Sequence, residues 1–341
     1  MAQESLILAP LLFIIPAYKL TRLIPLFNSL SDFDFFPRLA IGVTKLDGPD
    51  ARKFLQGQLT CELDNLTTEQ STLGAHCDAK GKMMASLRLL DNSEVVLALQ
   101  AFENTQSHLP MLTKYAVFSK VDITDASDEY MVSGFAGKQA LAWFNQQYGL
   151  ALSQVNQAAN VEIGSIVVIN DSTPRVLVVS TQAQYQALEQ ALSSVEYKEQ
   201  SPVLWTALDC RDGLGQIIPA TQAEFVPQMQ NLQMIDAISF KKGCYIGQET
   251  VARMHFRGLN KRGMFVLQSP SHIECKVGDN VEKQLGENWR NAGVVVSIAH
   301  VDGQTIACGV LPTDFDLAQQ VRIKDNTQGT FAVTKPSYFV E

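Results

Sequence analysis

The sequence predicts an α+β fold that gives way to a small all-β domain near its C-terminal end. Two observations carry this. Up to about Lys261, strand-like hairpins alternate with amphipathic helical runs, and regular β-α-β repeats are not evident. Beyond that point short β-rich runs follow one another with no helical periodicity between them. The length of 341 residues suits two or three such domains with a sizeable core.

The elements follow in order. Leu6 to Tyr18 is apolar apart from Pro10 and Pro16, but its thirteen residues are too few to span a bilayer as a helix. The preceding segment holds Glu4 and no basic residue, the wrong charge for a secretory leader. Residues 1–30 are therefore expected to form an apolar N-terminal extension. Asp47-Gly48-Pro49-Asp50 reads as a turn feeding a helix with Ala51, Phe54 and Leu55 on one face. Ser86 to Leu90 and Glu94 to Leu99 flank Asp91-Asn92-Ser93 as a hairpin. Thr105 to Ala116 reads as helix despite Pro110, and Phe118 to Ile123 as strand. A second hairpin joins Ser165–Asn170 to Arg175–Ser180. Thr181 can then cap a helix carrying Tyr185, Leu188, Leu192 and Val195 on one face. Met264–Leu267, Val294–Ala299, Thr305–Val310, Gln320–Ile323 and Gly329–Val333 are the C-terminal strands, most simply a barrel.

Hydrophobic residues make up 46% and charged residues 18%, which excludes a disordered or coiled-coil chain. The net charge of −8 excludes a general nucleic-acid coat, so any phosphate binding must come from a local patch. No two of the six cysteines are closer than 16 residues, and the five histidines include no H-x-x-x-H. No metal site is expected, and sparse unpaired cysteines suit reduced thiols in the cytosol.

The chemistry concentrates in Lys241 to Arg262, KKGCYIGQETVARMHFRGLNKR. It carries six basic residues against Glu249, a net +5 that leaves −13 for the rest of the chain. A basic island in an acidic protein suggests anion or RNA binding. Glu249, Arg253 and Arg257 at i, i+4, i+8 equally suit an ion-paired helix face. Cys244 lies two residues after Lys242 and just before a helix expected to start near Gly247, where a thiolate is favoured. His76-Cys77-Asp78 is not a triad, because adjacent residues do not point at one another. Trp205, one of three tryptophans, can stack on a flat heterocycle or fill core.

At KKGCYIGQETVAR the chain resembles the YgfZ-type family of folate-binding, tRNA-modification-associated proteins, a branch of the glycine-cleavage T-protein superfamily. FLQGQLT (Phe54 to Thr60), AHCDAKGKM (Ala75 to Met83), KYAVFSKV (Lys114 to Val121), NLQ (Asn231 to Gln233) and FRGLNKR (Phe256 to Arg262) extend the match from roughly Leu39 to the C-terminus. The resemblance implies a T-protein-like arrangement of ferredoxin-like α+β subdomains around a central hole, with a C-terminal β-barrel. Residues 31–260 would form the folate-binding region, with a subdomain insertion at about 130–200, and residues 261–341 the barrel. It implies a cytoplasmic, monomeric protein that binds tetrahydrofolate and supports iron–sulfur enzymes, including those that thiomethylate tRNA. Trp205, Tyr245, Gln248 and Glu249 would bind folate. Cys244, with Lys242 and Arg253 shaping its pocket, would supply the thiol.

Two departures bear on activity. The family's second folate-stacking aromatic falls near Ile41 by ungapped counting, with Phe33, Phe35 and Phe36 earlier. Aminomethyltransferases place a carboxylate after the Gly-rich segment, whereas Gly81 to Leu90 holds no Asp or Glu. The alternative that the resemblance offers is a tetrahydrofolate-dependent aminomethyltransferase-like one-carbon enzyme. Moving a one-carbon unit needs a group to manage the amine proton, so that alternative loses ground.

Overall fold

A computed structural model describes residues 29–170 and 173–339, so the apolar run at Leu6 to Tyr18 lies outside the described residues. The described chain forms three sheets whose inner faces share one hydrophobic cluster. Strand β1 (Asp34–Phe36) belongs to the second sheet.

In the first sheet, β2 (Ile41–Asp47) leads into α1 (Ala51–Gln58), which buries Phe54 and Leu55 as its periodicity requires. β3 (Thr72–Cys77), β4 (Met83–Asp91) and β5 (Val96–Ala101) follow, then α2 (Phe102–Thr113) and β6 (Asp122–Asp125). The order β3-β4-β5-β2-β6 is antiparallel throughout. Without β3 it is the split β-α-β arrangement of ferredoxin-like folds. The strand expected from Phe118 begins only at Asp122. Its first residues instead form an exposed turn that the Asp50 carboxylate holds by accepting the Lys120 amide at 2.8 Å.

The second sheet repeats the scheme with β7 (Tyr130–Ala136), α3 (Lys138–Tyr148), β8 (Ala158–Val161), β9 (Gly164–Asn170), β10 (Arg175–Thr181), α4 (Gln182–Leu192) and β11 (Lys198–Glu199). β1 is inserted beside β7, and its pairing with β11 is parallel. Thr181 and Gln184 close a capping box at the start of α4, whose Tyr185, Leu188 and Leu192 are buried as expected.

α5 (Pro202–Arg211) crosses the middle of the molecule, and α6 (Gln248–Phe256) lies on the outside. The third sheet comprises β12 (Arg262–Ser269), β13 (Asn280–Leu285), β14 (Asn288–Val301), β15 (Gln304–Pro312), β16 (Val321–Ile323) and β17 (Ala332–Thr334). Reciprocal backbone bonds between Val321 and Phe331, 3.1 and 2.7 Å, join its two edges into a barrel filled by Phe265, Leu267, Val295 and Phe331. Sequence reasoning missed β13, whose NVEKQL has only two apolar residues.

Candidate functional site

Two clefts meet at α5, sharing Ile41, Trp205, Asp209, Leu214 and Gln216 in their walls. The inner cleft lies between the first two sheets, with Leu73, Arg88 and Leu99 on one side and Ile169 and Leu177 on the other. The outer one opens beside the barrel at Val296 and Ser297. Trp205 and Asp209 stand one helical turn apart, so one face of α5 presents both. Gly134 on β7 makes room for the indole, since a Cβ there would come within 2.5 Å of the ring.

The Arg175 guanidinium lies over the Trp205 ring at 4.8 Å, and Phe36 meets that ring edge-on at 5.2 Å. Arg175 is fully buried and bonds Asp209 at 2.7 Å and Asp212 at 2.8 Å, while Arg211 holds the other oxygen of Asp212. Such a cluster orients Trp205 and Asp209 more than it stabilises the fold, because desolvating the ions offsets most of their attraction. Burial raises the Asp209 carboxyl above its ordinary range, with Arg175 pulling the other way. Asp209 gives one oxygen to Arg175, and its other has no hydrogen-bond partner among the described residues. Burial brings Arg88 down to about 10, and its guanidinium is fixed on Ser71 and Asn156 at 3.0 and 2.7 Å.

Gln230 also lines the inner cleft. Its side chain is buried, and neither its amide nitrogen nor its carbonyl oxygen has a partner among the described residues. A buried orphan amide costs about 1–3 kcal/mol. It is tolerable where a ligand restores the bonds. The 3-10 turn Pro227–Gln230 that carries it is fixed on both sides. Gln228 donates to the Val251 carbonyl of α6 at 2.6 Å, and Asn231 clasps the backbone of Met264 at 3.1 and 3.0 Å. Sequence reasoning missed Gln230, Arg175 and Arg88. The available signal was polar residues amid apolar ones, beside the NLQ block in the case of Gln230.

The Cys244 loop is a second place. Ile246 donates to the Gly57 carbonyl at 3.2 Å and Ser239 to that of Thr60 at 2.8 Å, which brings FLQGQLT against KKGCYIGQE. Gly247 caps α6 at φ +81°, and a Cβ there would lie 2.6 Å from the Asp78 carbonyl, so AHCDAKGKM packs there too. Cys244 is exposed, whereas Cys61, Cys77, Cys210 and Cys308 are buried.

The other motif residues divide. Lys242 does not form a pocket for Cys244. It is buried, its ammonium donating to the carbonyls of Leu59 and Cys61 at 2.8 and 2.6 Å, over the Tyr245 ring. Burial lowers its pKa and raises that of Tyr245. Arg253 and Glu249 are exposed on α6, with Gln248 beside them half-buried. Among the described residues no ion pair joins Glu249, Arg253 and Arg257, so the ion-paired face is not formed. Tyr245, Gln248 and Glu249 line neither cleft at Trp205. His76 faces not Cys77 but His108, nitrogen to nitrogen at 2.9 Å.

Ile41 stands in both clefts at the position of the expected second stacking aromatic, and Phe33 and Phe35 sit in the separate core of the second sheet. Among the described residues no helix is long and apolar enough to cross a membrane.

Residues 260–326 match the model of the YgfZ β-barrel domain. The tRNA-modifying protein YgfZ of Photobacterium profundum is 38% identical over 309 residues, covering 88% of this chain and 92% of that protein. Its counterpart in Colwellia psychrerythraea is 37% identical over 279 residues, 81% and 84% of the two chains. The crystal structure of glycine cleavage system aminomethyltransferase T from Bartonella henselae superposes with a TM-score of 0.69 at 17% identity, covering 91% of this chain and 87% of that one. The fold is thus T-protein-like α+β, and the chain belongs to the YgfZ family.

Proposed function

We propose that this protein binds a reduced folate in the clefts at Trp205 and serves as an accessory factor in tRNA modification. The observation that carries the reading is the unpartnered Gln230 amide, buried in the wall of an apolar cleft that also holds Trp205 and a half-committed Asp209. A pterin is a flat heterocycle with an edge of adjacent donors and acceptors. Trp205 and Ile41 suit its faces, Asp209 its amino and N–H donors, and Gln230 either kind of partner. When bound, tetrahydrofolate supplies nitrogens able to carry a one-carbon unit. This chain's residues would bind and orient it and exclude water.

Support for tRNA modification comes from the relatives, each named a tRNA-modifying protein. Gly81 to Leu90 offers no carboxylate, and β4 gives the cleft Ser86, Leu87 and Arg88, which disfavours the aminomethyltransferase alternative. The accessory role extends to cytosolic iron–sulfur enzymes that thiomethylate tRNA. The exposed Cys244 thiol there takes part in redox chemistry or transient cluster handling, and the protein acts as a monomer.

Calorimetry with tetrahydrofolate tests the first half. Asp209→Asn keeps the shape and a hydrogen bond to Arg175 and is expected to weaken binding by about 10-fold or more, a charged hydrogen bond being worth about 1.5–3 kcal/mol. Unchanged affinity would place the ligand elsewhere. Complementation by Cys244→Ala tests the second, with full rescue of tRNA thiomethylation sinking the role of the thiol.

A further inference from the structure

We propose that the C-terminal end of α6 and the loop before it form a landing surface for a single-stranded segment of RNA. Three rings gather there. Phe240 stacks on His255 with centroids 3.7 Å apart and planes 15° apart, and Phe256 stands edge-on to both at 6.1 and 5.0 Å. Phe256 is 71% exposed although it ends a helix with buried positions available, and His255 is exposed beside it.

Five cations lie within six residues of the rings along the chain. Lys241 follows Phe240, Arg253 lies on α6 and Arg257 directly follows it, and Lys261 and Arg262 stand where the next loop runs into β12. All five are exposed, and among the described residues none has an ion-pair partner. Glu249 is the one acid between Lys241 and Arg262, in a chain whose net charge is −8. The surface thus joins a stacking platform to unpaired positive charge, the combination that holds bases by their faces and the backbone by its phosphates. The acidic remainder repels a polyanion and directs it to this patch. The choice of RNA rests on the reading of the protein as a tRNA-modification factor. The surface shares its loop with Cys244, so bound RNA would lie beside that thiol.

The test is fluorescence anisotropy with a labelled single-stranded RNA across salt concentrations, run beside tetrahydrofolate calorimetry on the same full-length proteins. Engaging four or five phosphates, wild-type affinity should fall roughly 50-fold or more between about 50 and about 200 mM salt. Phe256→Ala should weaken RNA binding by about 5- to 100-fold with the salt slope unchanged, since it removes stacking and no charge. Arg257→Gln with Lys261→Gln should flatten the slope by about 1.4. Both variants change exposed side chains and should keep wild-type folate affinity. Wild-type protein that binds no RNA, or Phe256→Ala that binds as tightly as wild type, overturns the proposal even with folate bound normally. Salt-dependent RNA binding lost in Phe256→Ala, with no folate bound by any protein, upholds this surface and removes the folate reading instead.

Discussion

Replacing Gln230 with leucine should move stability and ligand affinity in opposite directions. In the free protein both polar atoms of this amide are buried without partners, whereas the neighbouring Asn231 bonds through both of its own and Gln228 through its amide nitrogen. An unsatisfied buried group costs about 1–3 kcal/mol, and leucine has similar volume and no such penalty. Gln230→Leu should therefore stabilise the ligand-free protein by about 1–2 kcal/mol, a rise in Tm of roughly 1.5–3 °C, since unfolding entropy scales with chain length. The same change removes two hydrogen bonds to a pterin, each worth about 0.5–1.5 kcal/mol, so tetrahydrofolate should bind about 5- to 150-fold more weakly. Differential scanning calorimetry and isothermal titration read the two quantities on one preparation. A variant less stable than wild type that binds tetrahydrofolate equally well would refute the reasoning, because Gln230 would then be serving the fold.

Further outcomes follow from buried and exposed titratable groups. His76 and His108 are buried against each other, and burial lowers them from 6.5 to about 4 and about 3. Between pH 6.5 and about 4 the unfolded chain binds the extra protons, so stability should fall on acidification by up to about 3 kcal/mol per pH unit for the pair. Denaturant titrations of His76→Leu with His108→Leu should show that slope reduced, and an unchanged slope would contradict the pairing. Maleimide labelling of native protein should modify Cys244 first, with Cys61, Cys77, Cys210 and Cys308 reacting only on unfolding, as mass spectrometry of the digest would show. Lys242→Met strands two buried carbonyls and should cost about 1–3 kcal/mol in urea unfolding. No loss would mean water replaces the ammonium there.

Local patterns carried the elements well. The Thr181 capping box, the apolar face of α1 and the Asp91-Asn92-Ser93 hairpin all rest on neighbours within one turn, which sequence displays directly. The turn at Phe118 was misread as strand because its shape depends on Asp50, 70 positions earlier. β13 was missed because half of its side chains face solvent and read as loop. For the candidate site, the motif located the Cys244 loop, and Trp205 was singled out as one of few tryptophans. The partners of Trp205 were not legible. Arg175 reaches it from another sheet, and Gln230 is informative only through bonds it does not make. Spacing likewise placed Lys242 near Cys244 without revealing that its ammonium turns inward to Leu59 and Cys61.

The most direct test of the folate cleft is a crystal structure of the protein grown with tetrahydrofolate. The pterin should lie against Trp205 with its polar edge bonded to Asp209 and Gln230. Ligand density elsewhere on the molecule, with Gln230 still unpartnered, would contradict the account.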